Sequence, residues 1–128
     1  MSSATHISLT VSCEPHLARI VRMTAANVAA LSSMSVDRVE DIRMAAEEAF
    51  IYACATAPAE QLVIDFDADE VHVAMQFKLG VDAFAQPSDE DPTAAYADLI
   101  LGSVCDSYEK LEAPARLALS VKADVDGL

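Results

Sequence analysis

At 128 residues, with 53% hydrophobic residues and only three Gly and five Pro, the chain holds enough apolar material for one packed domain, expected to span 1–128, and too much for a disordered one. Its net charge of −13 disfavours nucleic acid and anionic lipid as partners. No apolar run approaches the roughly 20 residues of a membrane span, and Met1-Ser2-Ser3-Ala4-Thr5-His6 lacks the basic-then-apolar order of an export signal, so a cytoplasmic protein is expected.

The charge is unevenly placed: residues 1–46 hold four acids and four bases, whereas residues 47–128 hold seventeen acids and four bases. An acidic surface of this kind suits a basic protein partner, and it also serves solubility alone.

Thr5 to Cys13 alternates strictly, with Ile7, Leu9, Val11 and Cys13 on one face, and predicts a half-buried strand. Glu14-Pro15 opens a helix whose stripe is Leu17, Ile20, Val21, Val28 and Leu31, with Ser12 or Cys13 near the cap and Ser32-Ser33 at its end. The next helix starts at Ser35, a good N-cap, with Asp37, Glu40 and Asp41 at its positive end, and closes at Thr56-Ala57-Pro58. Val39, Ile42, Ala46, Ala49, Phe50 and Ala53 recur along it at helical spacing. The acidic pair Glu47 and Glu48 sits inside this helix, the two side chains about 100° apart, so they do not share one pocket.

Gln61–Phe66 and Val71–Leu79 read as strands joined by Asp67–Glu70 in a hairpin. Gly80–Pro92, with its acidic cluster Asp89-Glu90-Asp91, reads as a loop. Helical spacing resumes at Tyr96, Leu99, Ile100 and Val104 and extends toward Tyr108. Arg116–Lys122 alternates as a last strand, able to pair with Tyr108–Glu112 across Ala113-Pro114. This order predicts an α+β fold in two layers, with helices on one face of a mixed, mostly antiparallel sheet.

This element order, together with Asp41-Ile42-Arg43-Met44-Ala45-Ala46-Glu47-Glu48-Ala49, resembles the anti-sigma factor kinases of the GHKL (histidine kinase-like) ATPase fold over nearly the whole chain. The resemblance implies a serine/threonine kinase site with ATP and Mg²⁺. In the family, the second helix carries Glu-Ala-x-x-Asn, its Glu activating water or a hydroxyl and its Asn holding the metal. Glu48-Ala49-Phe50-Ile51-Tyr52 keeps the Glu and has Tyr52 for the Asn. An Asp-x-Gly-x-Gly then follows the central strand in the family; here Gly80 and Asp82 stand in reversed order. At the helix after the lid, where glycines let backbone N–H groups cradle phosphate, stand Ala95 and Ala97, with Asp98 beside them and Lys78 the only base nearby in the sequence.

Three parts of one nucleotide site thus depart together. The expectation is a degenerate anti-sigma-like regulator with no cofactor. It binds a sigma factor or an anti-sigma antagonist protein, forms a homodimer through its first strand and helix, and has Tyr52 filling the space of a nucleotide. In this reading Glu48 is a relic of the base; the plainer reading makes Glu47 and Glu48 ordinary solvated acids of the helix surface. An active kinase using ATP and Mg²⁺ with Glu48 as general base, and an α+β domain binding another small ligand, are the alternatives. Arg19, Arg22, Arg38 and Arg43 are the cationic candidates for partner contacts. His6, His16 and His72 read as surface residues. Cys13, Cys54 and Cys105 read as separate buried thiols, without disulfide or metal-ligand spacing.

Overall fold

The computed structural model describes residues 5–56, 60–84 and 93–124. Segments with a period of two form strands β1 (Thr5–Ser12), β2 (Gln61–Ala68), β3 (His72–Lys78), β4 (Ser107–Leu111) and β5 (Arg116–Lys122). Those with helical spacing form α1 (Ala18–Ala29), α2 (Val36–Thr56) and α3 (Thr93–Val104). A 3-10 turn at Pro15–Leu17 precedes α1. The expected cap from Ser12 or Cys13 is not made: Glu14 stands there in extended conformation with no side-chain cap bond, so the chain winds tightly before it settles into α1. Tyr108 belongs to β4 and not to the end of α3, because Asp106 N–H already bonds the Ser120 carbonyl and starts a strand ladder.

The sheet runs β1-β2-β3-β5-β4, and every neighbouring pair is antiparallel. The mixed sheet expected from the sequence is corrected here for a topological reason. Strands β3 and β4, joined through α3, do run in the same direction, but β5 inserts between them and pairs with both. No parallel ladder forms.

One sheet face is apolar. Leu62, Ile64 and Phe66 of β2, Val73, Met75 and Phe77 of β3, and Leu117, Leu119 and Val121 of β5 are all buried against the helical layer. Each such side chain contributes about 1.5–3 kcal/mol by leaving water. From above, α2 presents Ile42, Ala45, Ala46, Ala49, Phe50 and Ala53, while α1 adds Val21, Ala25, Val28 and Ala29. The alanines bring little bulk to this layer, and Phe50 is among the largest side chains buried in the same core. The other sheet face is polar: His6 bonds Asp67 at 2.7 Å and Lys78 bonds Asp65 at 2.7 Å.

Ser35 caps α2 as its sequence predicts, its Oγ accepting the Arg38 N–H at 3.2 Å. Arg38 then ties the start of α2 to distant segments, donating to the Lys122 carbonyl at 2.9 Å and to the Asp106 carboxylate at 2.5 Å. Among the described residues no helix is long and apolar enough to cross a membrane.

Candidate functional site

Residues four apart on a helix share a face, so Glu48 and Tyr52 lie one turn apart along the same side of α2. Tyr52 is 3% exposed. Its ring stacks on Phe84, with centroids 6.5 Å apart and planes 12° from parallel, and the Lys110 ammonium stands 4.9 Å from its centre. Lys110 also bonds Asp98 at 2.8 Å, and the Tyr108 hydroxyl donates to the other oxygen of that carboxylate at 2.7 Å. Four parts of the fold therefore converge on one ring: α2, the segment after β3, α3 and β4.

Backbone bonds place Phe84. Gly80 turns the chain with φ 76°, a left-handed conformation open to glycine at little cost. The Leu79 N–H bonds the Ala115 carbonyl at 3.1 Å, while the Val81 and Asp82 carbonyls accept from Ala115 and Ala113 at 2.8 Å. The Phe84 N–H then donates to the Glu112 carboxylate at 2.9 Å. The β4–β5 turn thus holds this segment so that the Phe84 ring meets Tyr52.

The electrostatics are self-contained. Burial opposes the Lys110 charge, but Asp98 and the Tyr52 hydroxyl outweigh it and raise the lysine pKa. Burial, then the bond to Asp98, holds the Tyr108 phenol protonated far above its ordinary range. Asp98 is therefore neutralised where it stands, by Lys110 and not by Lys78. The latter alternates with buried Phe77, so it points to the opposite sheet face and pairs there with Asp65. Among the described residues no buried side-chain nitrogen or oxygen lacks a partner, so the cluster offers no orphaned donor to a phosphate or a base.

Glu47 and Glu48 diverge as their spacing requires. Glu47 crosses to α1 and bonds Arg22 at 3.0 Å. Glu48 is half-buried, and its pKa is raised by burial first and by the Glu47 charge second. Of the remaining positions, Asp82 joins through its carbonyl and Gly80 through its turn. Ala97 is buried inside α3, whereas Ala95 is exposed and apart from the cluster. The acidic residues Asp89, Glu90 and Asp91 lie outside the described residues.

The partners Phe84, Tyr108 and Lys110 were not legible as site residues. A signal existed for Lys110, one of only four bases in residues 47–128: an isolated base in so acidic a stretch has an electrostatic reason to be sought. Three of the four cationic candidates carry intramolecular partners. Arg22, Arg38 and Arg43 are engaged inside the fold with Glu47, with Asp41 and Asp106, and with Glu40. Arg19 alone of the four has no ion-pair partner among the described residues. The three thiols are not equivalent either: Cys105 is buried, but Cys13 and Cys54 are half-buried and line the same pocket. No protein-family model matches the chain, and no curated protein matches it in sequence.

Proposed function

We propose that the protein is an anti-sigma-factor-like regulator of the GHKL fold that acts by binding another protein, its nucleotide site having lost its chemistry. The observation that carries this reading is the packing of Tyr52. Where the resembled kinases use an Asn to hold Mg²⁺, this chain has an aromatic ring 3% exposed, stacked on Phe84 and covered by Lys110. Mg²⁺ demands a near-octahedral set of oxygen ligands at about 2.0–2.1 Å. A ring in a closed stack supplies none, and the Asp98 carboxylate of the same cluster already holds Lys110 and Tyr108. These residues do not fit a magnesium-bound nucleotide.

A homodimer through β1 and α1 belongs to the same proposal. Strand β1 is an edge of the sheet, its Ile7 and Leu9 are only half covered, and an uncovered strand edge is a template for pairing with a second chain. The acidic residues 47–128 are left to steer a basic partner, a sigma factor or an anti-sigma antagonist, and Arg19 on α1 has no ion-pair partner among the described residues.

One observation favours the active kinase as a second reading. Glu48 has its pKa raised by burial and Glu47, the direction in which a general base is tuned. Calorimetric titration with Mg-ATP separates the two. The regulatory reading expects no heat of binding, and micromolar affinity overturns it. Light scattering tests the dimer, and identification of the proteins co-purifying from the native host tests the partner: a sigma factor or its antagonist is expected.

A further inference from the structure

Cys13 follows directly on β1, and Cys54 lies in the last turn of α2, yet both line one pocket of about 280 Å³ together with Pro15, Phe50, Ile51 and Ala55. The sequence separates these thiols by some 40 residues, and only the packing of α2 against the corner after β1 brings them together. The corner is fixed by the backbone: the Cys13 N–H bonds the Glu60 carbonyl at 3.0 Å, and the Glu14 N–H bonds Ser12 at 2.8 Å. Neither thiol is sealed in the core, and both cysteines stand in the wall of this one pocket. Cys105 lies elsewhere, beside Asp106 at the end of α3, and does not line the pocket.

We propose that Cys13 and Cys54 form an oxidisable dithiol, a modification site that low-molecular-weight disulfides convert into a Cys13–Cys54 bridge. The Cys13 thiolate attacks one sulfur of the reagent disulfide. The reagent S–S bond breaks, a mixed disulfide forms on Cys13, and one reagent thiolate leaves and takes up a proton. Cys54 then gives its proton to solvent and attacks the Cys13 sulfur, and its new S–S bond expels the second reagent thiol. Two protein thiols are oxidised, one reagent disulfide is reduced to two thiols, and no other reactant is needed.

The order of attack follows from where the sulfurs stand. Cys54 lies near the C-terminal, negative end of the α2 dipole, which disfavours a thiolate. Burial and the neighbouring Cys13 thiol also hold its proton well above the usual thiol range. The first attack therefore falls to Cys13, and Cys54 is the resolving thiol, because intramolecular approach replaces the encounter that a poor nucleophile would otherwise need. The apolar pocket lining gives the incoming reagent a place to dock while the first exchange occurs. The bridge joins the corner after β1 to the same helix that carries Tyr52 two residues earlier, on another side of α2.

The test uses the full chain, incubated folded with oxidised glutathione or cystamine, alkylated, and mapped by peptide mass spectrometry. The expected result is loss of two thiols and two hydrogens, a cross-linked pair of peptides holding Cys13 and Cys54, and a free Cys105. The thermal midpoint rises by roughly 5–15 °C and returns on reduction. Cys54→Ser should stop at the mixed disulfide on Cys13, and Cys105→Ser should behave as wild type. Oxidation confined to Cys105, or an intermolecular bridge in place of the internal one, overturns the proposal. So does a folded wild-type chain whose Cys13 and Cys54 remain reduced while denatured chains react. The wild-type mapping decides the matter even where a variant folds poorly.

Discussion

Lys110 holds its ammonium over the ring of Tyr52, 4.9 Å from the centroid, while bonding Asp98 on its other side at 2.8 Å. The lysine is thus shared between a π face and a carboxylate, and each contact fixes the geometry of the other. Removing the ring by Tyr52→Leu and the charge by Lys110→Met should reveal a coupling of about 0.5–1 kcal/mol in a double-mutant cycle by urea unfolding. Tyr52→Ala should cost about 3–4 kcal/mol, since it also leaves a cavity beside Phe84. Additive effects in the cycle would mean that Lys110 is anchored by Asp98 alone.

Asp106 gives an acid-sensitive clamp. The Lys122 N–H donates to it at 2.7 Å and Arg38 at 2.5 Å, and its pKa is lowered, by the Lys122 backbone bond first, against a smaller opposing effect of burial, and then by Arg38. A carboxyl with a lowered folded pKa stabilises the fold above its unfolded value, near pH 4, and loses that contribution as the pH falls through the folded value. Wild type should therefore exceed Asp106→Asn in stability at pH 7 by about 1 kcal/mol, a figure already reduced for solvent screening at this part-exposed site. The gap should narrow as the pH falls through the lowered folded value, in denaturant titrations repeated across the acid range.

The strands and helices were legible because each has a single dominant period. The alternation of Arg116–Lys122 and the helical stripe from Val39 to Ala53 each match the elements formed. Strand order was not legible, because the insertion of β5 between β3 and β4 is a matter of long-range pairing that no local pattern encodes. The site divides in the same way. Tyr52 as a space-filling residue was expected only through the resemblance, which sets it where the family has Asn, whereas its meeting with Phe84 and Lys110 depends on where the β4–β5 turn holds a loop. The Cys13–Cys54 pocket has no sequence signal at all, since neither spacing nor flanking residues join a strand end to a helix end.

Two glycines should respond in opposite senses to alanine. Gly102 lies inside α3, and a β-carbon there meets nothing within 4 Å. Gly102→Ala should therefore stabilise by about 0.5–1 kcal/mol through helix propensity and a less flexible unfolded chain. Gly80 has φ 76°, so Gly80→Ala should cost about 1–2 kcal/mol by forcing a side chain into the left-handed region. Chemical denaturation of the two variants, compared at equal slope, checks both signs.

Glu48 should behave in the opposite way to Asp106 on acidification. Its folded pKa is raised by burial and by Glu47, so the folded state prefers the protonated acid. Below the unfolded value of about 4.3 the residue is neutral in both states and imposes no penalty. As the pH rises through that value the unfolded chain ionises first, and the penalty grows until the folded carboxyl ionises too. Glu48→Gln keeps the shape and removes the charge. It should match wild type at about pH 3 and be the more stable protein at pH 7. A variant less stable than wild type at pH 7 would show instead that the ionised carboxylate serves the fold, and a gap that does not change with pH would show that Glu48 does not titrate differently on folding. The stabilised outcome fits a costly group retained on the face of α2 that also presents Tyr52.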